Sequence, residues 1–117
     1  MIAGERTTAY INSLDMGNTE LLNQIEKEAL ETYVPIIRRE TQSFLKTLLA
    51  AKKPERILEV GTAVGFSALL MAEYSPADTQ ITTIEKYEKR IPIAKENFRR
   101  AGRQDQITLL EGMLQIF

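Results

Sequence analysis

Glu59, Gly61, Gly65 and Glu85 are the residues whose types and spacing could do chemistry. Glu59 stands two residues before the first of these glycines, and Glu85 stands 20 residues after the second. Glycine suits a turn in which φ is positive or in which a ligand must approach the backbone closely. A helical pattern begins at Ser67, and a helix start offers unpaired N–H groups to an anionic or carboxylate group. An acidic residue at the end of the next strand suits a ribose diol, which presents two hydroxyl donors to one carboxylate. The spacing also excludes two common loops. A dinucleotide fingerprint would need glycine where Ala63 and Phe66 stand, and a phosphate loop would need Lys-Ser/Thr where Phe66-Ser67 follow Gly65. The residues therefore describe a nucleoside site with no pyrophosphate requirement, and they disfavour an NAD-dependent oxidoreductase.

These residues need a strand before them, a turn, a helix and a second strand. Arg56 to Val60 reads as a short buried parallel strand through Ile57, Leu58 and Val60. Glu59 then lies at its carboxyl end, where open α/β sheets bind ligands. The helix after the turn carries Ala68, Leu69, Leu70, Met71 and Ala72. Gln80 to Ile84, rich in Thr and Ile, is a second strand. A helix is expected over 88–101, with Pro92 tolerable only in its first turn and Gly102 as its cap. Gln106 to Glu111 is a third strand. The order βαβαβ is one mononucleotide-binding half of a doubly wound sheet, and right-handed crossovers give strand order 3-2-1.

Upstream, residues 4–14 are expected to form a short helix through Ala9, Tyr10 and Leu14. A second helix follows Asn18 or Thr19, either of which can cap it, with Leu21, Leu22, Ile25, Ala29 and Tyr33 on one face. Pro35 stops it by displacing Val34 from the α region. A third helix begins near Glu40, with Phe44, Leu45, Leu48 and Leu49 as its apolar stripe. The sequence thus divides into an N-terminal helical segment, 1–53, and a cofactor-binding half-domain, 54–117, in one structural unit.

Composition sets bounds on function. With 117 residues, 44% hydrophobic and 26% charged, the chain can build one core. A net charge of −1 gives no global pull toward nucleic acid or membrane. The absence of Cys removes disulfides and thiolate metal sites, and the absence of His removes the commonest neutral-pH base. No apolar run approaches membrane-spanning length, so no membrane partner is expected and the cytoplasm is the default location.

The run Ile57-Leu-Glu-Val-Gly-Thr-Ala-Val-Gly-Phe-Ser-Ala68 resembles the first motif of S-adenosylmethionine-dependent O-methyltransferases of the catechol type. Thr82-Thr-Ile-Glu-Lys86 resembles the second motif, and Val34 to Leu45 resembles the segment before the first strand. Within that family the chain is most similar to bacterial enzymes that methylate 5-hydroxyuridine in tRNA. The resemblance implies an α/β fold: N-terminal helices followed by a three-stranded parallel half of a Rossmann-like class I methyltransferase sheet. It implies S-adenosylmethionine as cofactor, with Mg²⁺ or another divalent metal in the full-length enzyme and no metal ligand in this chain. The cofactor-binding residues it implies are Val34, Glu59, Gly61, Thr62, Gly65, Ser67 and Glu85. Glu85 resembles the ribose binder, Ser67 the hydroxyl for the methionine carboxylate, Gly61 the glycine packed on the ligand and Val34 a contact near the sulfonium. Glu59 resembles a support of the loop, and Phe66 replaces a usual Tyr.

The reaction so implied is methyl transfer to a hydroxyl of a small aromatic or of 5-hydroxyuridine in tRNA. No catalytic residue is named, because the acceptor and metal residues of the family lie beyond the third strand. Gly112-Met113 stands where the family often has Gly-Asp, which bears on the adenine side. The 117 residues alone are expected to be inactive, and the competing reading is a truncated, non-catalytic module that binds cofactor or self-associates. A homodimer is expected, through the first strand left at an open edge. Between Lys86 and Arg103 lie seven cations, Lys86, Lys89, Arg90, Lys95, Arg99, Arg100 and Arg103. They are either a solvated helix face or a contact for a tRNA backbone.

Overall fold

The computed structural model describes residues 4–13 and 17–113. Leu14, expected on the first helix, lies outside them. Three helices come first: α1 (Glu5–Ser13), α2 (Glu20–Glu31) and α3 (Arg39–Lys52). Then β1 (Arg56–Val60), α4 (Phe66–Glu73), β2 (Gln80–Glu85), α5 (Ile91–Arg100) and β3 (Ile107–Glu111) alternate. The strands are parallel, in the order β1-β2-β3, with β2 in the centre. This is the expected 3-2-1 order seen from the other edge.

Thr19 caps α2, its hydroxyl accepting the Leu22 N–H at 3.3 Å. The helix ends at Glu31, four residues before Pro35: Tyr33 takes a left-handed φ of 58° and is 92% exposed, so it leaves the stripe assigned to it. On α3 the apolar stripe is also rotated from expectation. Gln42, Ser43 and Leu49 are buried, while Phe44 and Leu48 face outward. Gln42 decides the rotation. Its amide donates to Glu26 Oε2 and to the Ile37 carbonyl, both at 2.9 Å, and accepts from Asn18 Nδ2 at 3.0 Å. A buried amide so fully paired carries no desolvation penalty and ties α3 to α2. Helix α5 begins at Ile91, three residues later than expected, with Pro92 in its first turn.

Helix α4 is apolar on nearly every side, and Phe66, Ala68, Leu69, Leu70, Met71 and Ala72 are all buried. Such a helix needs cover all round. The N-terminal helices α2 and α3 pack on it, and β2 lies beneath it. Leu22, Ile25 and Ala29 of α2 thereby share one apolar cluster with Leu70, Ile81, Phe98 and Ile107.

Among the described residues the sheet is covered on one face only. Ile57 and Glu59 of β1, Ile81, Thr83 and Glu85 of β2, and Ile107 and Leu109 of β3 point to the helices, as the period of two requires. On the opposite face Leu58 is 62% exposed and Val60 is 60% exposed, with Leu110 also exposed. No helix longer than α3 occurs among the described residues, and none is long and apolar enough to cross a membrane.

Ile25, 1% exposed, joins the N-terminal helices to this core. Ile25→Ala is expected to lower unfolding free energy by about 2–5 kcal/mol, the cost of a core truncation with its cavity. Urea unfolding followed by circular dichroism measures it, and a change under about 0.5 kcal/mol, the range of neutral surface substitutions, would mean that α2 is separable from the core.

Candidate functional site

The turn between β1 and α4 is fastened at every residue. Gly61 and Thr62 donate their N–H groups to the Ile84 carbonyl, at 2.8 and 3.2 Å. Ala63 donates to Glu85 Oε1 at 2.7 Å. The Val64 carbonyl accepts from the buried Asn97 amide at 2.7 Å. Gly65 closes the turn by donating to the Thr62 carbonyl at 2.9 Å.

Both glycines have left-handed backbone, at φ 93° for Gly61 and 90° for Gly65, but they serve different needs. A Cβ on Gly65 would stand 2.6 Å from Phe98 Cε1, so this glycine allows α5 to pack against the turn. A Cβ on Gly61 would meet nothing within 4 Å, and Gly61 opens onto a cleft instead. Ala63 also sits at a positive φ, 50°, a conformation that costs a non-glycine residue roughly 1–2 kcal/mol. Its charge-assisted bond to Glu85 offsets that cost.

Glu85 ends β2 and points into the turn. Its second oxygen accepts the Tyr87 N–H at 2.9 Å. Burial pushes the carboxyl pKa up, but the N–H groups of Tyr87, Ala63 and Lys86 outweigh it and hold the pKa below the ordinary value, helped by Arg90. Glu85 is therefore ionised at neutral pH, and each oxygen keeps a lone pair beyond its backbone bond. It borders a cleft of about 180 Å³ lined by Val60, Gly61, Ile84, Lys86, Gly112 and Met113. The Gly112 N–H is tied to the Glu85 carbonyl at 2.8 Å, so both walls of the cleft hang from the end of β2. A slot with a glycine floor, an apolar lining and one ionised carboxylate fits a ribose with a flat base beside it.

Glu59 behaves differently. It lies under the turn, on the helix-covered face of β1, and accepts the Thr83 hydroxyl at 2.7 Å. Burial pushes its pKa up to about 7; the Thr83 bond works against this, and the negative charge of Glu85 adds to it. Glu59 faces Thr83 in the strand register, and it does not line the cleft.

The other expected site residues fall in different places. Thr62 is buried, its hydroxyl 2.6 Å from that of Thr83. Ser67 is half-buried in the first turn of α4, where the helix N-terminus adds its N–H groups. Val34 is buried in the apolar cluster, its N–H bonded to the Ala29 carbonyl at 2.8 Å. Gly61 and Glu85 meet at the cleft, with Gly65 behind the turn. Sequence reasoning missed Asn97, Thr83 and Phe98, all of which hold the turn. Phe98 and Thr83 were legible only as core and strand residues, and Asn97 carried no signal, being one amide on a helix.

The seven cations of 86–103 do not form a free basic field. Lys95 pairs with Glu111 at 3.0 Å, Arg99 with Glu96 at 2.5 Å, Arg100 with Glu28 at 2.8 Å and Arg103 with Glu73 at 2.6 Å. Arg90 lies over the Tyr87 ring, 5.4 Å from its centroid. No group of three or more His, Cys, Asp or Glu side chains is placed to hold a metal ion among the described residues.

Comparison with known proteins places this geometry. The family model for O-methyltransferases matches residues 11–115. Catechol O-methyltransferase of Mycobacterium tuberculosis is 33% identical over 69 residues, which are 59% of this chain and 31% of that protein. Caffeoyl-CoA O-methyltransferase of Populus kitakamiensis is 29% identical over 109 residues, 87% of this chain and 45% of that protein. The SAH-bound methyltransferase PaMTH1 of Podospora anserina superposes with a TM-score of 0.80 at 27% identity, over 96% of this chain and 52% of that one. The chain thus spans between about a third and a half of the length of the proteins it matches.

The raised pKa of Glu59 has a consequence for stability. The folded chain holds this proton where the unfolded chain, with its ordinary pKa of 4.5, has already released it. Stability is therefore fullest at low pH for this group and declines as the pH rises toward 7. The loss is on the order of 2–3 kcal/mol. Glu59→Gln removes it. Denaturant unfolding at pH 5 and pH 8 should show the variant gaining on the wild type by that amount across the interval. A constant difference at the two pH values would show that Glu59 is ionised throughout.

Proposed function

The chain belongs to the O-methyltransferase family, and we propose that it is the cofactor-binding portion of an S-adenosylmethionine-dependent O-methyltransferase. The observation that carries this reading is the Gly61–Glu85 cleft. An ionised carboxylate with spare lone pairs stands at the rim of a glycine-floored slot and can take both hydroxyls of the ribose. Val60, Ile84 and Met113 offer the flat base an apolar slot. Ser67 and the start of α4 lie at the other end of the turn, where the methionine carboxylate would meet helix N–H groups. The SAH carried by the Podospora anserina relative agrees with this choice of ligand. Thr62 and Gly65 shape the turn, while Val34, expected to touch the cofactor near the sulfonium, lies buried in the apolar cluster behind it.

The acceptor we propose is a hydroxyl of a small aromatic. The catechol and caffeoyl-CoA activities named for the relatives support it. The 5-hydroxyuridine of tRNA is the weaker candidate, because Lys95, Arg99, Arg100 and Arg103 are engaged with carboxylates rather than free for phosphates. Methyl transfer is an in-line attack of the acceptor oxygen on the sulfonium methyl, and alignment supplies much of its rate. The part of this chain would be to fix one reactant: Glu85 would hold the ribose, and the fastened turn and the start of α4 would hold the methionine end. The divalent ion implied by the resemblance has no ligand set among the described residues, so no step is derived through it.

Calorimetric titration with S-adenosylhomocysteine tests the reading. The wild type should bind it, and Glu85→Gln should bind about 10- to 100-fold more weakly, as expected for the loss of charge at hydrogen bonds worth roughly 1.5–3 kcal/mol. Equal affinity in a folded variant would remove Glu85 from the site.

A second reading, self-association, is favoured by the bare sheet face. β1 pairs with β2 on one side, and its other side is an edge carrying exposed Leu58 and Val60. Two copies meeting edge to edge on a two-fold axis would pair the free N–H and C=O groups of β1 in one continuous sheet. Sedimentation at micromolar concentration should then report a dimer, and Val60→Lys should shift it to monomer. A wild-type monomer at that concentration would end this proposal.

A further inference from the structure

Beneath the turn runs a buried hydroxyl relay that the cofactor reading leaves unused. The Thr62 hydroxyl in the turn is 2.6 Å from the Thr83 hydroxyl on β2, and Thr83 donates to Glu59 Oε1 on β1 at 2.7 Å. Thr83 is fully buried and Thr62 nearly so, hence neither side chain reaches the cleft. A hydroxyl has one proton to give. An ionised Glu59 can only accept, so in that state Thr83 gives its proton to Glu59 and Thr62 gives its own to Thr83. A hydroxyl that already donates is also a stronger acceptor, so the lower bond strengthens the upper one.

The turn is thus held from two sides by two carboxylates. Glu85 takes the Ala63 N–H directly, and Glu59 holds the adjacent Thr62 through Thr83. These neighbouring residues form the segment that must keep Gly61 open to the cleft and Ala63 at its positive φ. The strand register places Thr83 directly opposite Glu59, and the sheet therefore delivers the relay without any adjustment of the loop.

We propose that Thr83 is a positioning residue for the nucleoside-binding turn, carrying the pull of the Glu59 carboxylate to Thr62 and so holding the turn in its ligand-ready shape. The inference rests on the cofactor reading for its purpose, but its test has a readout free of ligand.

Amide hydrogen exchange, followed by NMR, is measured for the wild type, Thr83→Val and Thr83→Ser. Valine keeps the shape and removes the hydroxyl, while serine restores the hydroxyl. In Thr83→Val, exchange at Ala63 and Gly65 should rise about tenfold, the scale of one buried hydrogen bond, while Ile81 in the β2–β3 ladder stays unchanged. Thr83→Ser should return both amides to wild-type protection. Affinity for S-adenosylhomocysteine should fall and recover in the same order. A uniform rise across turn and sheet, or unchanged turn amides whatever the affinity does, would overturn the proposal. If Thr83→Val does not fold, Thr62→Val removes the upper bond alone and must give the same local rise. A wild type that binds no S-adenosylhomocysteine, with turn amides that respond as stated, would defeat the cofactor reading and leave the role of Thr83 standing.

Discussion

The bond from the Ala63 N–H to the Glu85 carboxylate is the contact on which the site depends. It joins the middle of the turn to the end of β2, and it holds a non-glycine residue in left-handed backbone. Without it the turn would have a strained residue and an unpaired N–H together. The carboxylate is also the charged group at the cleft. One side chain therefore shapes the pocket and presents the recognition group, and the two roles use different lone pairs of the same oxygens. This coupling explains why Glu85 is ionised despite burial: the same N–H groups that it holds stabilise its charge.

Around that contact the structure contrasts two acids. Glu59 and Glu85 lie on the helix-covered face of adjacent strands, yet their surroundings push them apart. Glu85 has backbone N–H donors on both oxygens and stays charged, while Glu59 has a single hydroxyl and is drawn toward the neutral form. Their mutual repulsion favours this division. The outcome is one anion at the cleft and one tunable group beneath the turn, and Asn97 and Phe98 secure the far side of the turn from α5.

The one-sided sheet is the other organising constraint. Helices α4 and α5 cover one face, and α2 and α3 form a further layer over α4. Among the described residues nothing covers Leu58, Val60 and Leu110. In a parallel sheet both faces are ordinarily covered, because crossover helices lie on both. The chain spans about half of the structure it superposes on.

Much of this was legible in the sequence. The run Ile57 to Ser67 announced strand, turn and helix, since apolar residues bounded by two glycines have few other uses, and β1 begins and ends where that pattern put it. Glu85 was legible from its distance alone, because one helix and one strand need about that many residues. Local signals also narrowed the cap of α2 to Asn18 or Thr19, of which Thr19 serves, and placed Pro92 in the first turn of α5. What tertiary structure decided were facts about faces and partners. Phe44, Leu48 and Tyr33 read as core by spacing, but Gln42 found three partners and turned α3 the other way, and a left-handed Tyr33 ended α2 early. Seven cations in a row of residues read as one patch, yet three of them, Lys95, Arg100 and Arg103, met carboxylates from distant segments. The Thr62–Thr83–Glu59 relay joins residues up to 24 positions apart, and only strand register brings them together. Periodicity encodes what a residue prefers to do alone. Which partner it meets depends on the packing of the whole chain.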